Sequence, residues 1–316
     1  MSHRDSLIKK NKELSKPMDL MNVGFVGVVG GGGFEVVSGG GTTSTNGDYT
    51  YHTYSSPGTV NLVTTGTITV NFVLMGGGGS GRASWGAGGS GGALAGVTGS
   101  TLSAGTHAVV VGAGGSVPTG SEGVAGGDSS FNGLTAEGGE SAQGDDTLST
   151  TGTSRNLGAD ANSITGSTTG TRFDNVSLAG GANQAEHYSS GGGGVGSAGQ
   201  AGANTGDKEG GDGLALNATN VGHDYTHLTA VGTGKWGAGG AGGCYISPFC
   251  GSGGSDGGDD YGGNGGTGHY NSGGTSGGTG TKGSGGGGTG YGSQTHGMYP
   301  GAGGDGIVVI TYLTPT

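Results

Sequence analysis

Residues 262–286 read GGNGGTGHYNSGGTSGGTGTKGSGG, and glycine recurs in this stretch at a fixed interval. Counting in threes from Gly262, eight of the nine positions up to Gly286 are glycine, and Asn271 is the exception. A period of three matches the polyproline II helix, which has three residues per turn and no internal hydrogen bonds. Because one edge of every turn is bare backbone, such helices can satisfy their N–H and C=O groups between neighbours. The stretch therefore predicts a packed bundle of polyglycine II helices.

The composition of the whole chain agrees with this prediction. Glycine accounts for 88 of the 316 residues, about four times the usual share of roughly 7%. Leu, Ile, Val and Phe make up about 16%, below the roughly 20% under which a conventional apolar core becomes doubtful. A large globular enzyme is therefore not expected, and the six prolines exclude collagen. A flexible Gly/Ser linker is the alternative, but interruption by Trp and Tyr and the flanking β-strands favour the packed bundle.

Period-two alternation indicates β-strands on both sides of the glycine-rich region. Residues 49–75 contain YTYHTYS, TVNLV and TITVNFVLM, residues 107–112 and 129–135 add two more strands, and residues 306–313 close the chain with GIVVITYL. The segment TITVNFVLM has apolar residues on both faces: Ile68, Val70, Phe72 and Leu74 on one, Val73 and Met75 on the other. We expect this strand to be covered on both sides and to pair with the closing strand.

These patterns predict a mostly β and irregular fold. Its base is a small antiparallel β-sandwich, which carries the bundle of polyglycine II helices. We expect residues 49–316 to form one glycine-rich domain that ends with the strand at 306–313.

Residues 1–48 are expected to form a separate N-terminal segment. Residues 5–16 predict one short helix with a partial apolar stripe of Leu7, Ile8 and Leu14, and Pro17 ends it. A helix this short is not stable alone, so we expect it to dock on another protein; a frayed terminus is the alternative. Residues 23–48 read as a connector.

The charge distribution argues against nucleic acid as a partner. The net charge is −11, and five of the eleven basic residues lie within residues 1–16. The acidic remainder would be repelled by phosphate. No apolar stretch is long enough to span a bilayer, and the N-terminus lacks the apolar core of a signal peptide.

The order of the parts resembles the glycine-rich domains of tail fibres and fibre-tip adhesins of tailed bacteriophages. The resemblance rests on YTYHTY and SPGTV within residues 49–60, GTITVNFVLMGGGGSG at 66–81, VVVGAGG at 109–115, GGDSSF at 126–131 and GGDGIVVITY at 303–312. It implies a virion surface protein whose bundle is a rigid scaffold and whose loops bind the host cell. It also implies that residues 1–48 join the chain to other virion proteins.

Aromatic residues concentrate in the last third of the chain. Tyrosine among Gly, Ser and Asn is also typical of antibody loops, because it gives contact area at low entropic cost. We therefore expect binding to a polysaccharide or an outer-membrane protein through Tyr225, Trp236, Tyr245, Phe249, Tyr261, Tyr270, Tyr291 and Tyr299. Caps on glycine-helix ends are the alternative role of these residues.

Other chemistry is weakly supported by the sequence. Cys244 and Cys250 enclose YISPF, a spacing that permits a disulfide or a reduced pair. His223 and His227 have the spacing of a helical metal pair without a predicted helix, and the acidic residues at 256–260 do not sustain a calcium repeat. Neither a catalytic triad nor a nucleophile elbow is discernible, so we expect no enzyme activity, no cofactor and no metal.

Two further functions remain open from the sequence. The first is a non-adhesive structural component of the virion, such as a capsid or tail decoration. The second is an ice-binding or matrix protein with flat Thr-rich faces. A homotrimer and a monomer at a fibre tip are both compatible with the sequence.

Overall fold

We analysed a computed structural model of the 316-residue chain. The residues that the structure describes are 36–38, 40–83, 86–117, 122–142, 163–181, 189–201, 209–231, 234–245, 262–264, 267–268, 275–288 and 299–314. The N-terminal helix predicted for residues 5–16 lies outside them.

Two six-stranded antiparallel sheets form the base of the molecule, as the sequence predicts. Their strands are β1 (Val36–Ser38), β2 (Thr42–Asn46), β3 (Tyr49–Tyr54), β4 (Gly58–Thr64), β5 (Ile68–Met75), β6 (Leu94–Leu102), β7 (Gly105–Val111), β8 (Ser129–Phe131), β9 (Leu134–Ala136), β10 (Ile164–Gly166), β11 (Thr171–Asn175) and β16 (Ile307–Leu313). The first sheet has the order β1-β4-β7-β8-β9-β10 and the second the order β11-β6-β5-β16-β3-β2.

Among the described residues between β11 and β16 there are four two-residue strands and one helical turn. Strands β12 (Leu214–Ala215) and β13 (Lys235–Trp236) pair antiparallel, and β14 (Cys244–Tyr245) and β15 (Thr267–Gly268) pair parallel. The helix α1 (Ala218–Val221) begins after Asn217, whose side chain accepts hydrogen bonds from the N–H groups of Thr219 and Asn220.

The closing strand β16 lies at the centre of the second sheet. It pairs with β5 on one side, with Ile310 opposite Phe72, and with β3 on the other. This confirms the predicted pairing of the first long apolar strand with the last. Residues separated by most of the chain therefore hold the base together.

The central strands β5 and β16 of the second sheet have buried apolar residues on both faces, which confirms the prediction made for TITVNFVLM. Towards the first sheet, Phe72 and Ile310 pack in one apolar core with Phe131. On the opposite face, Val73 and Met75 belong to a second core. This second core is closed by residues 214–231 and 234–236, a layer that includes α1 and the strands β12 and β13.

Two details of the sheets differ from the sequence predictions. The segment at 129–135 is a hairpin rather than one strand, because Asn132 and Gly133 have φ of 47° and 78° and form a tight turn between β8 and β9. The connector predicted for residues 23–48 contains β1 and β2, which pair with β4 and β3.

Glycine segments extend from one end of the two sheets. Their backbone hydrogen bonds repeat every third residue, because the same neighbouring segment is bonded again three residues later. Along residues 76–82, the first, fourth and seventh N–H groups donate to residues 87–93. The second and fifth donate to residues 124–127, and the third and sixth to residues 301–304. All seven bonds measure 2.8–3.1 Å between nitrogen and oxygen. Three consecutive residues thus donate to three different neighbours, whereas an α-helix bonds within itself and a β-strand alternates between two neighbours.

Segment 76–82 lies at the centre of a ring of six other segments. Besides the three that accept its N–H groups, three donate to its carbonyls: the N–H groups of Gly139, Gly115 and Gly286 bond to the oxygens of Gly77, Gly78 and Gly79. Adjacent members of the ring are also bonded to each other. We call this whole assembly of glycine segments the glycine bundle: residues 76–82, 86–93, 112–117, 122–127, 137–142, 178–181, 189–201, 209–213, 237–243, 262–264, 277–288 and 299–306.

The predicted three-residue spacing of the glycines is also seen in these hydrogen bonds. The N–H groups of Gly277, Gly280 and Gly283, which are three residues apart, donate to the carbonyls of residues 299, 302 and 305. Glycine is required because the backbones are in close approach. A Cβ placed on Gly78 would overlap the carbonyl of Ser284.

Candidate recognition surfaces

The strand register separates two ends of the molecule. Met75 ends β5 and Ile307 begins β16 where the glycine bundle meets the sheets. At the other end of the sandwich, Val36 pairs with Thr64. Residues 1–35 therefore join the described chain at the end opposite the glycine bundle.

One predicted receptor-binding residue is exposed near the outer end of the bundle. Tyr299 has 47% of its surface exposed, and its backbone carbonyl accepts a hydrogen bond from Gly277. Val117 and Val124 are also exposed, at 44% and 40%, on two antiparallel segments of the bundle. All three side chains belong to glycine segments of the bundle.

Two other predicted receptor-binding residues are buried. Tyr225 and Trp236 have 0% and 3% of their surface exposed, and both belong to the second core. The indole N–H of Trp236 donates to the carbonyl of Val231 over 3.3 Å. Neither ring is accessible to a receptor. The sequence prediction is therefore corrected for these two residues, because they close the layer over the second sheet.

The remaining predictions of site residues are not described at the side-chain level. The backbone of Cys244 and Tyr245 forms β14. The other predicted site residues lie outside the described residues: Leu7, Ile8, Leu14, Phe249, Cys250, Tyr261, Tyr270 and Tyr291.

A cluster of aromatic and imidazole rings lies on the outer side of the second sheet. It consists of Tyr49, Tyr51, His223, Tyr225 and His227, and we call it the Tyr–His cluster. Two residues of β3 supply the first two rings, and the turn after α1 supplies the other three. The rings meet edge to face at several points, with centroids 4.7 Å apart for Tyr51 and His227 and 5.2 Å apart for Tyr49 and His223.

One side chain links the two halves of the Tyr–His cluster by a hydrogen bond. The hydroxyl of Tyr51 and Nε2 of His223 lie 3.1 Å apart. Burial raises the pKa of Tyr51 above its ordinary value. Burial and the neighbouring His227 lower the pKa of His223, which keeps this imidazole neutral near pH 7.

The side chain of Asp224, in the same turn, is held by hydrogen bonds from Thr226. Oδ1 of Asp224 accepts hydrogen bonds from the backbone N–H and the hydroxyl of Thr226, at 2.9 and 2.7 Å. These bonds lower the pKa of Asp224. The turn therefore carries a carboxylate beside two imidazoles.

A second histidine site is structural. His52 is buried inside the sandwich, with Nε2 3.1 Å from the hydroxyl of Tyr312 and Nδ1 3.1 Å from the hydroxyl of Thr43. Burial lowers the pKa of His52 to about 4. This imidazole joins three strands of the second sheet and is inaccessible to a ligand.

Within the described part of the chain, no group of three or more His, Cys, Asp or Glu side chains is placed to hold a metal ion. The described residues also contain no helix that is long and apolar enough to cross a membrane.

The fold and these surfaces define a class of protein: a β-sandwich that carries hydrogen-bonded glycine segments. The family model of the glycine-rich domain matches residues 54–313. The chain therefore belongs to the glycine-rich domain family. None of the curated proteins compared with the chain matches it.

Sequence reasoning missed the Tyr–His cluster as a unit. It noticed His223 and His227 as a pair but not the contribution of Tyr49 and Tyr51, which are more than 170 residues away in the chain. The strand β3 was predicted, yet no local signal shows which segment covers its outer face.

Proposed function

We propose that this protein is a fibre or fibre-tip protein of a tailed bacteriophage that binds a receptor on the host cell. In this proposal the glycine segments are polyglycine II helices that form a rigid scaffold. The outer end of the glycine bundle contacts the host, and residues 1–35 join other virion proteins. The protein acts outside the host cell, as part of the virion, by binding rather than by catalysis.

The hydrogen-bond repeat of the glycine bundle is the observation that carries the proposal. Donors that rotate among three neighbours in steps of three residues are what a helix with three residues per turn requires. A central segment with six neighbours fits the side-by-side packing of such helices. Because glycine has no side chain, the backbones of neighbouring segments are in direct contact. These contacts make the assembly stiff without a large apolar core.

The arrangement of the two ends also supports the proposal. The N-terminal residues enter at one end of the sandwich, and the bundle leaves from the other. An attachment protein needs its virion joint and its receptor surface apart, since both are occupied at once. Tyr299, Val117 and Val124 are exposed on the glycine bundle and available for contact with a receptor.

Weak single contacts are sufficient for this function when several copies act together. Linked binding sites raise the overall affinity by about 10²–10⁴ through effective concentration. Tyrosine and small apolar side chains on a stiff scaffold lose little conformational entropy on binding. The same chemistry suits either a polysaccharide or an outer-membrane protein.

Adsorption to cells tests the proposal. The full chain is labelled with a fluorophore and incubated with a panel of bacterial strains. Two variants accompany it: Tyr299→Ala, and a triple variant in which Tyr261, Tyr270 and Tyr291 become Ala. The control is Leu313→Ala, because Leu313 is 60% exposed at the opposite end of the molecule.

We expect adsorption to some strains only, reduced by the bundle variants and unchanged in Leu313→Ala. Folded protein that adsorbs to none of the strains would contradict the receptor-binding function. Equal loss in the Leu313→Ala control would contradict the assignment of the bundle end as the receptor surface.

A further inference from the structure

The Tyr–His cluster lies at a surface that the proposed receptor contact does not use. Tyr49 and His223 are half-buried, and Asp224 and His227 beside them are exposed. Tyr49 pairs with Leu313, at the end of the sandwich opposite the glycine bundle. The cluster is therefore separate from the exposed side chains near the outer end of the bundle.

Several polar atoms of this surface have unused hydrogen-bonding capacity. Within the described part of the chain, the hydroxyl of Tyr49, the imidazole of His227 and Oδ2 of Asp224 have no hydrogen-bond partner. The hydroxyl of Tyr225 is fully buried and also has no partner. Buried polar groups are nearly always satisfied, so an unpaired hydroxyl calls for an explanation.

The chemistry of these groups selects a class of ligand. A phenol hydroxyl and a neutral imidazole each donate and accept hydrogen bonds, and a carboxylate accepts them. Sugar hydroxyls also do both, and the C–H face of a sugar ring packs on aromatic rings. Asp224 contributes a carboxylate to residues 222–227, a segment that contains no Lys or Arg. A neutral sugar or an amino sugar fits this surface, whereas a phosphorylated or acidic sugar would be repelled.

We propose that the Tyr–His cluster, with Asp224, is a lateral binding site for a neutral or amino sugar. The ring of the sugar packs against Tyr49 and His223. Its hydroxyl or amino groups bond to the imidazole of His227 and to the carboxylate of Asp224. This site does not depend on the proposed contact at the bundle end.

Ligand-observed NMR on the full chain tests this site. Saturation-transfer spectra are recorded with methyl β-galactoside, N-acetylglucosamine and glucosamine as probes, and the affinity is measured by titration. Three variants are compared: His227→Ala, Asp224→Asn and, as a control, Thr59→Ala, which changes an exposed residue of β4 in the first sheet. Both site residues are exposed, so these substitutions leave the two cores intact.

We expect saturation transfer to the ring protons of at least one probe. His227→Ala should weaken that affinity by about three- to tenfold, the effect of one lost polar contact of roughly 0.7–1.4 kcal/mol. Asp224→Asn should weaken glucosamine more than N-acetylglucosamine, since only the former carries an ammonium group. Thr59→Ala should bind like the unaltered chain.

The absence of saturation transfer with all three probes would overturn the proposal. Equal affinity in His227→Ala and the unaltered chain would also overturn it. These outcomes are distinct from those of the adsorption experiment. Sugar binding without adsorption to cells would refute receptor binding at the bundle end alone, and adsorption without sugar binding would refute the lateral site alone.

Discussion

Replacing one central glycine of the bundle by alanine tests how the bundle is held together. Gly78 lies in the segment with six neighbours, and its own N–H donates to the carbonyl of Gly304 over 2.8 Å. A methyl group there would overlap the carbonyl carbon and oxygen of Ser284. Since the obstacle is backbone, no side-chain rotation relieves it, and residues 283–288 must move away.

The cost follows from the bonds that this movement disturbs. Three hydrogen bonds connect the segments at this point: Gly78 to Gly304, Gly286 to Gly79, and Gly304 to Ser284. At about 1 kcal/mol each, with about 1–3 kcal/mol for overpacking, the loss is about 4–6 kcal/mol. Alanine also stabilises the folded state by about 0.4–1 kcal/mol, because it reduces the conformational entropy of the unfolded chain. We therefore expect Gly78→Ala to lower the free energy of unfolding by about 3–5 kcal/mol.

Denaturant and thermal unfolding measure this loss. At roughly 2–4 °C per kcal/mol for a chain of this size, Tm should fall on the order of 10 °C. The control is Gly127→Ala, another bundle glycine, where the nearest atom to an added Cβ is the nitrogen of Ala113 at 3.1 Å. Its cost should stay within about 1 kcal/mol. Equal stability of the two variants would refute the close backbone approach.

Three further predictions concern the sheets and the glycine bundle. The pKa of His52 is lowered to about 4 in the folded chain, and is about 6.5 when unfolded. The unfolded chain thus binds more protons between these values, and stability should fall by roughly 3 kcal/mol as the pH drops from 6.5 to 4. Urea titrations at several pH values measure this, and His52→Gln should flatten the dependence. Asp305→Ala removes the carboxylate that accepts the N–H of Gly114 over 2.9 Å, and should cost about 1–3 kcal/mol in the same titrations. Gly133→Val should cost at least about 1–3 kcal/mol and lower Tm, because Gly133 has φ of 78° and an added Cβ would lie 2.7 Å from the carbonyl oxygen of Ser167.

The sequence was sufficient to predict the central strands of the base. Apolar residues on both faces of β5 required cover on two sides, and the closing strand β16 had no local partner. These two requirements predict that β5 and β16 pair with each other. The Asn132–Gly133 turn was missed because the apolar residues on either side suggested one continuous strand.

The cover over the second sheet was not predictable from local pattern. Its buried residues Leu216, Val221, Leu228 and Val231 follow neither the period of a helix nor that of a strand. They are held by one four-residue helix and by turns. Without that layer, Tyr225 and Trp236 read as isolated aromatic residues on a polar surface, although both are in its core.

The glycine phase predicted the spacing of the hydrogen bonds but not their partners. Gly277, Gly280 and Gly283 donate in the expected steps of three. Which segments surround residues 76–82 depends on how the sheets arrange the ends of the glycine segments. Glycine has no side chain with which a sequence could mark a particular neighbour.

Hydrogen exchange at the glycine amides is the most direct test of the packed bundle. The full chain is labelled with ¹⁵N-glycine, and exchange is followed by NMR for Gly76–Gly79 and for the sheet as a reference. We expect the amides of residues 76–79 to exchange at least about a thousandfold more slowly than those of an unstructured chain, as global unfolding costs of 5 kcal/mol or more allow. Exchange of these amides at the rate of a flexible Gly/Ser linker, in a protein whose sheet amides are protected, would contradict the packed glycine bundle.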